Sequence, residues 1–289
     1  MKGVLLAGGS GTRLAPMTDA VNKHLLPVYD KPLIYYSLAI LMLAGIRDVM
    51  IVARPGDMEQ FKRLIGDGAR FGIAVSYQPQ PEPKGIAHGL LLAEDFIAGG
   101  RSMLVLGDNI FFGPGLRAEL NGPLRAAAGA HIFGYWVKNP QDLGVVELGA
   151  DGSVLSLEEK PQSPRSHYAV PGVYFYDETA IERARRLKPS RRGELEITDL
   201  NRSYLESGAL KAQRLQRGFA WLDTGTPDTL LEAASFIAAI ERRQGLKIAC
   251  LEEIAWHAGW LDDDALTKAA AHYPNSSYGS YLMGIVEAR

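Results

Sequence analysis

Leu6-Ala7-Gly8-Gly9-Ser10-Gly11-Thr12-Arg13 is the segment from which the organisation of the rest of the chain can be worked out. The apolar run 1–6 leads into it and predicts a buried strand that ends in a loop with few side chains. Backbone N–H groups of such a loop can surround anionic oxygens. Arg13 adds a forked, permanently charged donor, and Lys23 supplies a second cation nearby. The segment therefore predicts a loop that binds a polyphosphate.

Three interpretations compete for this glycine loop. A dinucleotide-binding fingerprint requires a third glycine, but Leu14 stands at that position. A Walker-type loop requires a lysine directly after the glycine run, and none is present. A plain glycine-rich turn between strand and helix, without any ligand, is the third interpretation. The loop alone does not decide between a phosphate site and a turn.

The spacing of Arg13, Pro16, Lys23 and Pro27 around the loop resembles the signature of the sugar-1-phosphate nucleotidylyltransferases, also called sugar-nucleotide pyrophosphorylases. The resemblance involves many fixed positions rather than a single glycine pair. It implies an enzyme that joins a nucleoside triphosphate to a sugar 1-phosphate. The implied nucleotide-binding residues are Leu6, Gly8, Gly9, Gly11, Thr12, Arg13, Lys23, Gln80, Pro83, Gly85 and Asp108.

Length and composition limit the classes of protein to be considered. The chain has 289 residues, 47% of them hydrophobic, with a formal net charge of −2. This length suffices for one large domain or for one domain with an appendage, and the balanced charge argues against a nucleic-acid partner. No apolar stretch is long enough to span a bilayer, and the N-terminus does not resemble a signal peptide. The single Cys250 is typical of a reducing compartment, which predicts a cytoplasmic protein.

The order of the predicted elements indicates an α/β fold. Predicted strands at 1–6, 49–53, 73–77 and 103–106 alternate with predicted helices, which is typical of a Rossmann-like, doubly wound parallel sheet. Several strands joined by short turns follow and make the sheet mixed, in agreement with a nucleotidyltransferase fold. We expect a core over 1–245, with a nucleotide-binding half (1–125) and a sugar-binding half (126–245). An aromatic-rich helical segment (246–289) should pack on the core or on a neighbouring subunit.

Several individual elements are predicted with defined boundaries. Asp57 is expected to cap a helix that ends at residue 65, and a single helix is expected over 86–96. The run 168–176 is predicted as one strand. A long helix is expected to begin near residue 228, with Thr226 as its cap. His88, His131 and His257 lack metal-ligand spacing and are interpreted as ordinary core or surface histidines.

Two aspartates at predicted strand ends are candidates for a metal site. Asp108 follows the strand 103–106, and Asp223 lies in the segment 221–226. Each aspartate is also consistent with an ordinary turn or helix cap. Beside a phosphate-binding loop the metal interpretation gains weight, because Mg²⁺ binds one or two carboxylates together with phosphate oxygens. We therefore predict Mg²⁺ bound by Asp108 and Asp223.

A second group of motifs extends the resemblance to the sugar side. Glu158-Glu159-Lys160-Pro161 and Arg192 in 191–199 match sugar-binding and sugar-phosphate-binding motifs of the family, although a charged strand end or an arginine pair is usually only solvated. The resemblance implies sugar-phosphate binding by Asn109, Gly144, Glu159, Lys160, Val170, Tyr174 and Arg192. The implied catalytic residues are Arg13, Lys23, Asp108, Lys160 and Asp223.

Because the resemblance covers essentially the whole chain, it also implies particular substrates. These are dTTP and α-D-glucose 1-phosphate, giving dTDP-glucose and pyrophosphate with Mg²⁺ as cofactor, as the first step towards dTDP-L-rhamnose and cell-surface polysaccharide. It implies a homotetramer that dTDP-rhamnose inhibits at a second site. A UTP-using or other sugar-1-phosphate nucleotidylyltransferase is the alternative. Four positions depart from the family pattern, namely Ala15 (usually Tyr), Lys84 (Asp), His88 (Gln) and Leu143 (Tyr).

Two other function classes stay open at this point. A nicotinamide-dependent oxidoreductase fits the fold but lacks the third glycine of the fingerprint. A non-catalytic sugar-nucleotide sensor of the same fold is the other class. Such a sensor is expected to have lost Arg13, Lys23 or one of the aspartates, and all of them are present.

Overall fold

A mixed sheet of ten strands forms the centre of this computed structural model, which describes residues 1–9, 11–124 and 128–288. The strands of the chain are β1 (Lys2–Leu6), β2 (Pro27–Val28), β3 (Lys31–Pro32), β4 (Asp48–Ala53), β5 (Ala74–Pro79), β6 (Ser102–Leu106), β7 (Asn109–Phe112), β8 (Ala130–Trp136), β9 (Gly144–Leu148), β10 (Val154–Glu159), β11 (Tyr168–Ala169), β12 (Val173–Tyr176), β13 (Leu210–Arg214) and β14 (Ala220–Asp223). The helices are α1 (Leu33–Leu43), α2 (Met58–Ile65), α3 (Ile86–Leu92), α4 (Glu94–Ile97), α5 (Leu116–Leu124), α6 (Ala180–Arg185), α7 (Ile197–Glu206), α8 (Pro227–Gln244), α9 (Leu251–His257), α10 (Asp263–Ala271) and α11 (Ser277–Glu287).

The strand order explains how the two halves of the chain share one sheet. It runs β10-β9-β11-β8-β12-β6-β1-β4-β5, with β13 beside β8. Strands β6, β1, β4 and β5 are parallel, whereas β12 joins β6 and β8 in antiparallel pairs. Val4 and Leu5 of β1 are fully buried, as expected for a strand covered by helices on both faces. The predicted doubly wound sheet that becomes mixed in its second half is confirmed.

Helix α1 is apolar on nearly every side because it lies inside the molecule. Its residues from Leu33 to Met42 are all buried, and it packs against β7 and α9. Pro32 precedes its first turn and Ala44 follows its last. A helix without an exposed face is typical of the centre of a large core.

Two helix predictions are corrected by the structure. Asp57 does not cap α2 with its side chain, because its carboxylate accepts hydrogen bonds from Asn22 (2.6 Å) and Arg54 (2.8 Å) instead. The helix predicted over 86–96 is two helices, α3 and α4, which are separated at Ala93 (φ −92°, ψ 9°). Long-range hydrogen bonding of Asp57 therefore overrides its local capping preference.

The predicted single strand 168–176 is also wrong. It forms β11 and β12, which are separated by Pro171 and Gly172. A Cβ atom on Gly172 would lie 2.6 Å from Leu106 Cγ, and the Gly172 N–H donates to Asn109 Oδ1 at 2.9 Å. The chain therefore leaves the sheet here to pass close to the end of β6.

Strand β7 and helix α5 are not among the elements predicted from the sequence. Strand β7 directly follows the turn at Asp108 and pairs with β14 in an antiparallel ribbon, with Asn109 opposite Asp223. This ribbon brings the end of the second half of the chain back beside the first. Thr226, as predicted, caps α8 by accepting a hydrogen bond from the Thr229 N–H at 3.2 Å.

The C-terminal helices α9, α10 and α11 pack on the main body, as expected from their aromatic content. Their own apolar cluster includes Cys250, Leu266 and Leu282. Trp260 lies against Gly72, and its ring receives the Arg47 guanidinium at 5.4 Å. The domain limit at 245 and 246 stays a prediction, and the limit between 125 and 126 falls outside the described residues. Across residues 1–9, 11–124 and 128–288, no helix is long and apolar enough to cross a membrane.

Candidate active site

The ends of several strands converge on two adjoining cavities. The smaller cavity, about 230 Å³, lies at the carboxyl ends of β1, β5 and β6 and is lined by Leu6, Gly8, Gly9, Lys23, His24, Gln80, Pro83, Gly85, Ile86, Leu106, Asp108 and Glu194. The larger, about 820 Å³, is lined by residues that include Thr12, Arg13, Asp108, Asn109, Gly144, Glu159, Lys160, Val170, Tyr174, Arg192, Thr198, Trp221 and Asp223. Asp108 lines both cavities. In a sheet of this type, ligands bind beyond the carboxyl ends of the strands.

The glycine loop turns sharply where β1 ends. Gly9 has φ 92° and Gly11 has φ 63°, both in the left-handed region that favours glycine. Gly8 lies against the Gln80 side chain, because a Cβ on Gly8 would be 3.0 Å from Gln80 Oε1. Gly11 is not among the residues that line these two cavities; it packs behind the loop against Thr18 and Lys23.

Lys23 is held by a buried polar network that sequence analysis missed. Its neighbours Asn22 and His24 are only 1% and 2% exposed. The Asn22 side chain donates to Asp57 and accepts from the His24 N–H at 2.9 Å. Burial, reinforced by the Lys23 charge, lowers the pKa of His24 to about 3, so this imidazole is neutral at physiological pH. The polar residues Asn22 and His24, which flank Lys23 in the sequence, were the signal from which this network could have been predicted.

Asp108 is the point where the two cavities meet. Its carboxylate is paired with the Lys23 ammonium and accepts a hydrogen bond from Asn109 Nδ2 at 2.8 Å. Burial acts to raise the pKa of Asp108, but the Lys23 charge and these hydrogen bonds outweigh it and hold the pKa at about 2. The carboxylate is therefore ionised at any physiological pH.

Asp223 lies across the ribbon from Asn109, the residue that follows Asp108. Burial, followed by the negative charge of Asp108, raises the pKa of Asp223. Arg13 converges on the same point, because a Cβ on Gly225 would lie 3.1 Å from both Arg13 Nη2 and Asp223 Oδ2. Two carboxylates and one guanidinium are thus brought together from three distant parts of the chain.

The loop that follows β5 forms one wall of the smaller cavity. Gln80 Nε2 lies 3.2 Å from His88 Nδ1 and 3.4 Å from the Gly85 carbonyl oxygen. Gly85 has φ 98°, and a Cβ there would lie 2.5 Å from the Leu195 carbonyl oxygen. The Leu195 N–H donates to the Lys84 carbonyl at 2.8 Å, so this loop is joined to the segment that carries Arg192. The Lys84 side chain pairs with Glu82 at 2.7 Å.

Glu159, Lys160 and Gly144 form the floor of the larger cavity. Glu159 Oε2 accepts from Thr198 Oγ1 at 2.6 Å. A Cβ on Gly144 would approach both of these oxygens, to 3.4 and 3.3 Å respectively. Lys160 has φ 46°, a left-handed conformation that is costly for a residue with a Cβ, and its N–H donates to the Leu143 carbonyl at 3.0 Å. Backbone strain of this kind is concentrated at functional sites.

Arg192 faces three carboxylates. Its guanidinium donates to Glu196 Oε2 at 2.8 Å, and it lies 3.7 Å from Glu159 and 3.8 Å from Glu194. Although burial acts in the opposite direction, the Glu196 hydrogen bond and the nearby carboxylates raise the pKa of Arg192. Half of this side chain stays accessible, at 45% exposure, so it is available to an anionic ligand.

The remaining residues predicted for sugar binding line the larger cavity as structural members of its wall. Asn109 Oδ1 accepts from Gly172 N (2.9 Å) and Trp221 Nε1 (2.7 Å), so this amide already connects three segments. The Val170 N–H donates to the Gly144 carbonyl at 2.8 Å. Tyr174 is buried, which raises the pKa of its phenol. Trp221, Thr198 and Glu194 also line the site and were not predicted as site residues.

This arrangement can be compared with known proteins. A family profile described as "Nucleotidyl transferase" matches residues 2–240. The chain belongs to the nucleotidyl transferase family. The resemblance found in the sequence is confirmed, and the chain is a nucleotidyltransferase enzyme.

Relatives of this nucleotidyl transferase match it from end to end. A protein named glucose-1-phosphate thymidylyltransferase from Neisseria meningitidis is 54% identical over 99% of this chain and 100% of its own length. Proteins of the same name from Mycolicibacterium smegmatis and Mycobacterium tuberculosis are 54% and 53% identical, each over 99% of both chains.

Solved structures support the fold of this nucleotidyl transferase. A Bacillus anthracis protein proposed to be a glucose-1-phosphate thymidylyltransferase, crystallised in complex with a sucrose, aligns with a TM-score of 0.76. It is 39% identical over 82% of this chain and 94% of that chain. A UDP-glucose pyrophosphorylase complexed with UDP-glucose shares the fold, with a TM-score of 0.73 and 24% identity over 84% of this chain and 99% of that chain.

Proposed function

We propose that this enzyme transfers a thymidylyl group from dTTP to α-D-glucose 1-phosphate, giving dTDP-glucose and pyrophosphate. The observation that carries the proposal is the pair of adjoining cavities that share Asp108. One is bordered by a glycine loop and the Gln80 amide, and the other by Glu159, Lys160 and Arg192. The relatives with this name that align over the whole chain support the choice of substrates.

The smaller cavity is suited to a nucleoside triphosphate. Backbone N–H groups around Gly8 and Gly9 would bind phosphate oxygens in this cavity, with Thr12 and Arg13 on the adjoining larger cavity and Gly11 supplying the bend. Arg13 and Lys23 provide two cations beside them, so they would stabilise the departing pyrophosphate. Gln80 and Gly85, with Pro83 and Leu6, would contact the base.

The larger cavity is suited to a sugar phosphate. Glu159 would accept hydrogen bonds from sugar hydroxyls, and the Gly144 backbone would form further hydrogen bonds with them. Val170, Tyr174 and Asn109 would shape the wall of the cavity. Lys160 and Arg192 would hold the phosphate, Arg192 by exchanging its distant carboxylates for phosphate oxygens. Both cations lie on the cavity that reaches Asp108, so they direct the phosphate towards the nucleotide.

The residues at the junction fit a divalent cation, and we propose Mg²⁺. Asp108 and Asp223 both line the larger cavity, and the raised pKa of Asp223 reflects burial and repulsion by Asp108 that a cation would relieve. Within the described residues, no group of three or more His, Cys, Asp or Glu side chains is placed to hold a metal. This is consistent with Mg²⁺, which takes one or two carboxylates and completes its shell with phosphate oxygens and water. Bound by Asp108 and Asp223, it would neutralise charge on the α-phosphate.

The proposed chemistry needs no nucleophile from the protein. An oxygen of the sugar phosphate attacks the α-phosphorus, and the bond from that phosphorus to the bridging oxygen of the β-phosphate breaks. Pyrophosphate leaves with the electron pair, so no proton transfer is required. Because both substrates are highly charged, the work of the protein is to position them in line and to balance their charges.

A UTP-using enzyme is the second candidate, because thymine differs from uracil by one methyl group. A methyl group in an apolar pocket provides only about 1–3 kcal/mol of discrimination. Side activity with UTP is therefore expected.

The resemblance further supports three proposals, namely a cytoplasmic homotetramer, a place at the start of dTDP-L-rhamnose synthesis, and inhibition by dTDP-rhamnose. Exposed Leu231 and Leu246 are consistent with a subunit contact.

Pyrophosphate release from a substrate matrix tests the proposed function. The purified chain is assayed with dTTP, UTP, CTP, ATP and GTP against several sugar 1-phosphates, with and without Mg²⁺. We expect the highest kcat/KM for dTTP with glucose 1-phosphate, and no release without Mg²⁺. A higher kcat/KM for UTP would select the second candidate, and no release from any pair would exclude both.

A further inference from the structure

Gln80 is fixed at both ends in the wall of the smaller cavity. Its backbone N–H donates to the Ala53 carbonyl at 2.8 Å, which extends the pairing of β5 with β4. Its side-chain Nε2 lies between His88 Nδ1 (3.2 Å) and the Gly85 carbonyl oxygen (3.4 Å). The side-chain amide is therefore held between the glycine loop on one side and the first turn of α3 on the other.

The partners of the amide determine which way it faces. The NH₂ group faces both partners, and the Gly85 carbonyl, which can only accept, is the weaker of the two because it lies at 3.4 Å whereas His88 Nδ1 lies at 3.2 Å. His88 Nδ1 then has to accept as well, which places the proton of the neutral imidazole on Nε2. The remaining polar atom, Gln80 Oε1, lies beside Gly8 of the glycine loop, which lines the same cavity.

This orientation distinguishes between kinds of nucleobase. Thymine and uracil carry an N3–H donor on their pairing edge, whereas cytosine has an N3 acceptor there. A carbonyl oxygen fixed in the cavity can accept from the first kind and repels the second. The direction of one amide therefore decides whether the wall of the cavity is suited to an imide base.

We propose that His88 is a positioning residue for base selection, which accepts a hydrogen bond from Gln80 Nε2 and thereby presents Gln80 Oε1 to the N3–H of an imide base. The proposal deepens the proposed function and rests on it. His88 acts through Gln80 and is not among the residues that line either cavity. Its position was interpreted from sequence as an ordinary histidine in a helix.

The proposal predicts a dependence on pH with a definite sign. A protonated His88 donates from Nδ1, so it can no longer accept from Gln80, and the amide is expected to rotate and present its NH₂ group to the cavity. Burial, followed by the Lys84 charge, lowers the pKa of His88, with Glu82 acting in the opposite direction. Affinity for an imide nucleotide should thus be complete above pH 6.5 and decline as the pH falls below it.

Most other charged groups on the elements packed against α3 have partners other than His88. Glu194 lines the cavity and lies 3.8 Å from Arg192. The helices and strand packed against α3 contribute charged residues with their own contacts: Glu94 with Arg185, Glu182 with Arg186, Arg183 with the Ser203 carbonyl, Asp199 with Arg202, and Lys2 over the Phe96 ring. Asp95 and Glu206 are the remaining charged residues on these elements.

Calorimetric binding of dTDP and dCDP separates this proposal from a purely structural role. Wild type, His88→Gln and His88→Leu are titrated with each nucleotide at pH 7.5 and pH 5.5. His88→Leu removes the acceptor, so we expect its preference for dTDP over dCDP to fall about 10-fold at pH 7.5, the value of one hydrogen bond. His88→Gln retains an acceptor that does not titrate. We expect it to keep the preference at both pH values, whereas the preference of wild type should be weaker at pH 5.5 than at pH 7.5.

Two outcomes overturn the proposal. One is an unchanged dTDP preference in His88→Leu, and the other is an equal loss of preference at pH 5.5 in wild type and His88→Gln. Circular dichroism verifies that each variant is folded, and the pH comparison with His88→Gln stands on its own if His88→Leu does not fold. Failure of the proposed function is recognised separately, because it appears as absent pyrophosphate release whatever the nucleotide affinities are.

Discussion

The two cavities are built in contrasting ways. On the nucleotide side, backbone and buried groups define the site: glycines with positive φ, Lys23 between two buried neighbours, and Gly85 pressed against Leu195. On the sugar side, accessible side chains define it, with Arg192 shared among three carboxylates. The nucleotide site is thus part of the fold, whereas the accessible charged groups of the sugar site are attached to a wall that includes the buried Asn109 and Tyr174. Substitutions on the first side should alter stability and binding together, and substitution of an accessible charged group on the second should alter binding alone.

The largest effect is expected where the two sides meet. Asp223→Asn keeps the shape of the side chain but removes a charge that faces Asp108. We expect kcat to fall about 10²–10³-fold, which is typical of losing one preorganised electrostatic group. Pyrophosphate release measures it, and Asp228→Asn, an exposed aspartate in the first turn of α8, is the control. Turnover within a few-fold of wild type in Asp223→Asn would remove Asp223 from the site.

Gly85→Ala should weaken the nucleotide site by destabilising the fold around it. The new Cβ would lie 2.5 Å from the Leu195 carbonyl in a backbone conformation with φ 98°. We expect a loss of about 3 kcal/mol in the free energy of unfolding, together with weaker dTTP binding. Gly99→Ala is the matched control, because Gly99 also has a positive φ but open space around it. Equal destabilisation by the two variants would show that the contact with Leu195 does not matter.

Arg192→Ala should affect the sugar side without affecting the fold. A charged hydrogen bond to phosphate is worth about 1.5–3 kcal/mol, so we expect KM for glucose 1-phosphate to rise about 10–100-fold. The unfolding free energy should change by no more than about 1 kcal/mol, because Glu196 keeps its hydrogen bond from Ser190 when the half-exposed Arg192 is removed. Steady-state kinetics and urea unfolding give both values, with the adjacent Arg191→Ala as control. A large stability loss with an unchanged KM would reverse the contrast between the two sides.

The smallest predicted effect concerns a histidine away from the site, on β8. Burial, followed by the charge of the paired Lys211, lowers the pKa of His131 to about 4. Because the folded pKa lies below the unfolded one, this stability is present above pH 6.5 and is lost as the pH falls towards 4. Between pH 8 and pH 6, wild type should lose about 1 kcal/mol more than His131→Phe in urea unfolding. Identical losses in both proteins would exclude His131 as the cause.

The strands of the parallel half and the convergence of Asp108 with Asp223 could be predicted from the sequence, because strand ends carry local signals. It did not find the β7–β14 ribbon that sets this convergence, since Asn109 opposes Asp223 through pairing over more than a hundred residues. It also predicted that Asp57 caps α2, whereas the Asp57 carboxylate accepts a hydrogen bond from Asn22, which is distant in sequence. His88 was missed for the same reason, because its meaning depends on the position of Gln80. Local conformational preferences can be predicted from the sequence, whereas the long-range contacts that compete with them cannot.

Isotope exchange tests most directly whether both substrates react in one continuous site. Labelled pyrophosphate is incubated with the enzyme, dTTP and Mg²⁺, with and without glucose 1-phosphate. Direct attack by the sugar phosphate predicts no label in dTTP unless the sugar phosphate is present. Label entering dTTP in its absence would contradict direct transfer and point to a nucleotidylated residue such as His24, which lines the nucleotide cavity.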